Sequence, residues 1–306
     1  LSLRQEIGSI HLLAKIYNSI GSVQRKLANY NQALVALKQA LDYSQQASTP
    51  SLTSKVLNNI GILYKKLSDY DTAINYYQQS LAIKEETSGP GSIATTVNNI
   101  GQLYFDQDKT KEAEEYYRRA LKLREQHGNN SDIASSLNSM LRLTTKRQKF
   151  AEATTYANRL KAMGDSTDNY DMLQKASTFL GRIDRDQGRD QEALTHYKKA
   201  YSYSQYLSKR RQLAPLKDLA RQYHTVGSDS AVTYGQKAID IIEEHRTNAG
   251  ALSDLKSGYF GQHSDLYSEL ASWVLTYDAD VARAYTLVEQ SKARALSDEL
   301  TEAAQN

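Results

Sequence analysis

Apolar residues return every three to four positions along most of this chain, in stretches broken by short polar turns. That spacing predicts amphipathic helices arranged in pairs. Leu57, Ile60, Leu63 and Tyr64 share one face of a first helix, and Ala73, Tyr77 and Ser80 share one face of a second. Glycine on the first helix lets its neighbour approach closely, and small residues alternating with an aromatic on the second suit interlocking helices. Polar turns such as Ser68–Asp69 and Asp108–Lys109 join the helices of a pair, with Asp or Asn available as caps.

The pattern repeats at an offset of 40 residues. Ala33, Ala73, Ala113, Ala153 and Ala193 fall on it, as do Gly21, Gly61, Gly101 and, two periods on, Gly181. The run Leu57 to Tyr64 returns as Val97 to Tyr104, and Leu81 to Glu86 returns as Leu121 to Gln126. Such self-similarity is the signature of a solenoid, in which each repeat buries its apolar face against the next. The expected fold class is all-α, a right-handed superhelical solenoid of antiparallel helix pairs. Full repeats are read at 10–48, 50–88, 91–129, 131–165 and 170–208, and two divergent ones at 210–248 and 252–300. Five repeats therefore occupy 9–208, and the divergent pair occupies 209–306. Residues 1–8 align with the tail of a second helix, so the chain is expected to start inside an earlier repeat, with Leu1 to Glu6 as an orphan helix end. The fourth repeat lacks the usual residues (Leu141 for glycine, Thr144 for tyrosine, Ala157 for the aromatic), and the sixth has Ala220 and Gly235 in their place.

The residue set resembles the tetratricopeptide repeat, with Leu-Gly and Tyr on the first helix and Ala, aromatic, Ala on the second. The usual period is about 34 residues; the longer one here is similar to kinesin light chains and cell-polarity adaptors. HEAT repeats have a comparable length without this signature. A second resemblance lies further on. The stretch from Leu255 to Tyr267 leads to a helix with Trp273, and the string from Glu289 to Leu296 contains Ser-Lys-Ala-Arg-Ala-Leu. It looks like the junction before the CHAT domain of bacterial TPR-CHAT proteins, although such a string is also simply a good helix former. That resemblance implies a caspase-like domain after Asn306, packed within the full-length protein against Trp273 and a helix through Leu287, Leu296 and Leu300, which would be left exposed without it.

Composition narrows the function. There are 3 prolines in 306 residues, and 22 tyrosines stand against 4 phenylalanines, suited to thin two-layer packing in which a ring is buried and its polar tip is wet. A net charge of +3 and a pI of about 8.7 give no nucleic-acid footprint. No stretch is long and apolar enough for a membrane span. Cysteine is absent, which excludes a disulfide, a cysteine metal site and the His–Cys pair of a caspase-like peptidase within these residues. The six histidines show no paired-ligand spacing, and Gly89-Pro90-Gly91 joins two helices, so it reads as an inter-repeat turn. No enzyme activity and no cofactor are expected, and neither nucleic acid nor membrane as partner; a cytoplasmic setting is expected.

The expected partner is a protein or an extended peptide. The tetratricopeptide resemblance implies an inner wall that includes the residue two before the repeat glycine, here Asn59 and Asn99, flanked by Ser19 and Ser139. Asn58 and Asn98 sit one residue earlier. Amides there can bind a peptide backbone, or can bond locally or to a neighbouring helix. Replacement of Asn59 and Asn99 by alanine is expected to leave the fold intact. Lys55, Arg142, Lys175 and Arg182 lie on first helices and suggest an acidic ligand, unless they only complement helix dipoles. The alternative function is a receptor that compacts around a signalling peptide.

Overall fold

The computed structural model describes residues 3–248 and 263–303, and every regular element in them is an α-helix. They are α1 (Leu3–Lys26), α2 (Tyr30–Gln46), α3 (Pro50–Lys66), α4 (Tyr70–Thr87), α5 (Pro90–Asp106), α6 (Thr110–His127), α7 (Asn130–Lys146), α8 (Phe150–Thr167), α9 (Tyr170–Asp186), α10 (Asp190–Ser204), α11 (Lys209–Thr225), α12 (Ser230–Asn248), α13 (Asp265–Tyr277) and α14 (Val281–Ala303). The chain forms two compact units, 1–148 and 149–306.

Local chemistry starts and stops these helices. Pro50 and Pro90 open α3 and α5 at a position where no N–H is needed. Asp69, Asn129 and Asn169 cap α4, α7 and α9 by accepting from the N–H of Thr72, Asp132 and Met172. Between the helices of a pair the backbone passes through a left-handed residue at Ala28, Ser68, Asp108, Gln148 and Gly188, with φ of 63°, 60°, 62°, 55° and 73°. The next N–H folds back onto the helix end, as in Asp69 N to Tyr64 O at 3.0 Å, which satisfies a terminal carbonyl.

The first unit holds α1 to α7. Each repeat glycine receives the side chain sixteen residues on: a Cβ at Gly61 would lie 2.7 Å from the Tyr77 ring, and one at Gly21 would lie 2.6 Å from Leu37 Cγ. Tyr77 and Tyr117 are in consequence fully buried. Between successive pairs, Ala33, Leu37 and Ala40 of α2 join Leu52, Val56, Ile60 and Leu63 of α3 in one apolar cluster. Ala73, Tyr77 and Leu81 of α4 do the same with Val97, Ile100 and Leu103 of α5. The divergent Leu141 on α7 is as buried as the glycines it replaces. The expected orphan fragment is not separate, because Leu3–Glu6 run without a break into α1, where no proline or capping residue interrupts them.

The second unit holds α8 to α14. Tyr197 fills the space left by Gly181. The size pattern inverts in the sixth repeat: Gly235 of α12 leaves room for Leu270 and Trp273 of α13, each 3.0 Å from a Cβ placed there. This corrects the expectation of an exposed docking face. Trp273 is 3% and Leu287 4% exposed, both inside a cluster of α11 to α14. The sequence from Leu255 to Gln262, and the side chains of Leu296 and Leu300, lie outside the described residues.

Candidate functional site

First helices touch one another from pair to pair, α1 with α3, α3 with α5 and α5 with α7 in the first unit, and α9 with α11 in the second. They therefore form the tighter side of each unit, and all the expected site residues stand on them.

The asparagines are organised by a hydrogen-bond ladder. Asn59 Nδ2 donates to Asn18 Oδ1 at 2.8 Å, Asn99 Nδ2 donates to Asn58 Oδ1 at 3.0 Å, and Ser139 Oγ donates to Asn98 Oδ1 at 3.1 Å. Each rung spans 41 residues and ties one repeat to the next. Asn59 and Asn99 thus each contribute one hydrogen bond to the contact between repeats. The ladder also fixes how each amide points, nitrogen toward the neighbouring helix. The Oδ1 atoms of the half-buried Asn59 and Asn99 have no partner among the described residues, and neither is sealed from solvent. Asn58, 8% exposed, is committed inward: Thr96 Oγ1 also donates to its Oδ1, at 3.3 Å. Ser19 turns back on its own helix and donates to Lys15 O.

The cations divide. Lys55 is exposed and makes no ion pair among the described residues. Arg142 donates to Gln102 Oε1 at 2.7 Å and lies 4.8 Å from the Phe105 ring centroid, with Gln102 also accepting from Tyr117 Oη. Lys175 pairs with Asp171 at 2.7 Å, and Arg182 with Asp218 at 3.1 Å. Lys55 and Arg142 face solvent in the first unit; Lys175 and Arg182 in the second are already neutralised by carboxylates.

Two buried cations were not singled out in the sequence. Lys84 and Arg124 occupy equivalent places on α4 and α6, at 3% and 5% exposure. Lys84 Nζ donates to Thr96 Oγ1 at 2.7 Å, and Arg124 Nη1 donates to Ser136 Oγ at 2.8 Å. Burial, helped by the charge of Lys55, pushes the Lys84 ammonium down to about 8; burial also lowers Arg124. The 40-residue register was the available signal, since Ser44, Lys84, Arg124 and Ser204 align on it, but polar residues on helices read as surface. Among the described residues no group of three or more His, Cys, Asp or Glu could hold a metal ion, and no helix is long and apolar enough to cross a membrane.

Residues 12–86 and 92–164 match the family model of the tetratricopeptide repeat. No curated protein sequence matches the chain. Solved structures do: the STAND ATPase PH0952 of Pyrococcus horikoshii, with a tetratricopeptide repeat sensor, is 14% identical with a TM-score of 0.67, covering 94% of this chain and 42% of its own. The apo form of the quorum sensor NprR from B. thuringiensis is 17% identical with a TM-score of 0.58, covering 88% and 86%. BtubC from P. vanneervenii is 16% identical with a TM-score of 0.58, covering 71% and 90%. The chain accordingly has a tetratricopeptide-repeat fold, of the all-α, right-handed solenoid class built from antiparallel helix pairs.

Proposed function

We propose that this chain is a peptide- or protein-binding scaffold that holds an extended segment along its first helices. The observation that carries the reading is the ladder. By engaging one amide hydrogen of Asn59 and of Asn99 it leaves two carbonyl oxygens, one repeat apart, oriented before a ligand arrives. Preorganised acceptors bind a peptide backbone without the entropic cost of ordering them, and a backbone contact does not read side chains. Lys55 and Arg142, exposed beside them, favour an acidic ligand. The string from Glu289 to Leu296 supports a finer reading, an interaction arm of a cytoplasmic TPR-CHAT-like protein with its peptidase-like domain in the same full-length chain. The likeness to NprR, a quorum sensor, keeps a peptide receptor as the second reading; scattering profiles with and without a bound peptide separate compaction from a rigid scaffold.

The test is a peptide selected from a random display library on the full chain, titrated against Lys55→Glu/Arg142→Glu. Two reversed charges at exposed positions are each expected to contribute on the order of 1 kcal/mol, together about tenfold or more in Kd, and less in high salt. Unchanged affinity at low salt would refute the acidic reading of this wall.

A further inference from the structure

Helix α1 carries a stripe of apolar side chains that nothing in the described residues covers. Leu12, Ile16, Ile20 and Val23 recur at helical spacing and are 57%, 45%, 41% and 53% exposed. Forty residues on, Leu52, Val56, Ile60 and Leu63 hold the same places on α3 and are buried, at 8% exposure or less. The difference is the neighbour. Helix α3 has α2 behind it, whose Ala33, Leu37 and Ala40 close that face; α1 packs forward, on α2 and α3.

The last pair presents the other half of the same contact. Ala279, at φ 53°, turns the chain from α13 into α14 as Ala28 does from α1 into α2, and Ala284 N donates to Asp280 O as Ala33 N does to Asn29 O. Counted from that turn, Ser272 takes the place of Gly21, and Ala284 and Val288 take those of Ala33 and Leu37. On α2 this surface receives α3; on α14 it is open. Ser272, Leu275, Val281, Tyr285 and Val288 line a groove of about 480 Å³, with Val281 and Tyr285 70% and 66% exposed. Trp273 and Leu287 lie on the buried side of the same helices. The two charged residues on the lining, Glu289 and Lys292, pair with each other at 3.1 Å, so the groove suits an apolar occupant.

We propose that the chain associates head to tail with a second copy of itself, α1 of one copy lying in the groove between α13 and α14 of the other. Each chain carries both halves of a contact that it already makes internally between α2 and α3, and contiguous exposed apolar surface marks an interaction site. The two halves differ, so the contact is heterologous: each added copy leaves one face of each kind free for the next. The inference is independent of the peptide-binding reading, because neither face includes Asn59, Asn99, Lys55 or Arg142.

The test is sedimentation velocity of the full chain at rising concentration, from the low micromolar range upward, beside variants blocked at one face. The parent is expected to associate. Leu12→Glu/Val23→Glu on α1 and Val281→Glu/Tyr285→Glu on α14 should each weaken association about a hundredfold or more, because a docked carboxylate would be buried without a partner. All four positions are exposed, and circular dichroism checks that the variants are folded; serine at the same positions, milder in the same direction, stands in where glutamate disturbs the fold. The two variants mixed should recover a single contact, from the intact groove of the first to the intact α1 of the second, and stop at a one-to-one dimer. A parent that stays monomeric, variants that associate like the parent, or a mixture that stays monomeric would each overturn the proposal. A groove variant that still dimerises would mean that two α1 faces pair, and an α1 variant that still dimerises would mean that two grooves pair; either result would also overturn it.

Discussion

Removing Asn58 should loosen the first unit more than removing either asparagine that stands beside a free oxygen. Asn58 Oδ1 accepts from Asn99 Nδ2 and from Thr96 Oγ1, and Thr96 is fully buried. Asn58→Ala forfeits two hydrogen bonds, each worth about 0.5–1.5 kcal/mol net, and leaves the Thr96 hydroxyl without an acceptor, a further cost of 1–3 kcal/mol in general. A total of about 2 kcal/mol or more is expected. Asn99→Ala loses one bond and should cost about 1 kcal/mol, since Thr96 still serves Asn58. Asn58→Asp keeps the acceptor and should cost less than alanine. Repeat arrays need not unfold in one step, so the assay is native-state hydrogen exchange of the α3 and α5 amides. A loss of 2 kcal/mol appears there as roughly thirtyfold faster exchange, on the scale of tenfold per 1.4 kcal/mol. Because the two residues share one bond, the double variant should fall short of additivity by about 0.5–1.5 kcal/mol. Strict additivity, or an Asn99→Ala variant that exchanges like the parent, would refute the ladder as a stabilising feature.

Three further outcomes follow from the packing. Gly61→Ala would set a Cβ 2.7 Å from the buried Tyr77 ring and 3.2 Å from Ala73 O, so a loss on the order of 1–3 kcal/mol is expected; an unchanged melting temperature would contradict it. Ala28→Gly and Ser68→Gly should each stabilise by about 1 kcal/mol, because both residues hold the left-handed conformation that Gly188 adopts at the same register; denaturation midpoints check this. Lys84 has a folded pKa lowered to about 8 against about 10.4 unfolded. Between those values the unfolded chain holds more protons, so stability should rise with pH. Relative to Lys84→Met, the parent should gain up to about 3 kcal/mol between pH 8 and 10.5, at 1.36 kcal/mol per pH step; a flat difference in urea midpoints would refute the burial cost.

The helix pairs were legible in the sequence because a repeat states its contacts several times. Gly61 and Tyr77 stand at a fixed offset that Gly101 with Tyr117 and Gly181 with Tyr197 reproduce, and each pairing meets in space. The left-handed turns were not read as such: Ala28, Ser68, Asp108 and Gln148 share a register with Gly188, but their side chains do not advertise positive φ. The site was legible as a set of positions and not as a set of bonds. Asn59 and Asn99 were placed on the first-helix wall, while their rungs to Asn18 and Asn58 depend on the neighbour one repeat away, at a separation of 41 rather than 40. Lys175 and Arg182 looked free because Asp171 is one helical turn back and Asp218 is on another helix. Trp273 looked like a docking residue because its partner, Gly235, has no side chain to announce it.

The most direct test of the binding account is a hydrogen-exchange footprint of a display-selected peptide on the full chain. The account predicts protection on the first helices of the first unit, in α3, α5 and α7 around Asn59, Asn99 and Arg142. Protection confined to the second helices α4, α6 and α10, or to α14, with the first helices unchanged, would contradict it.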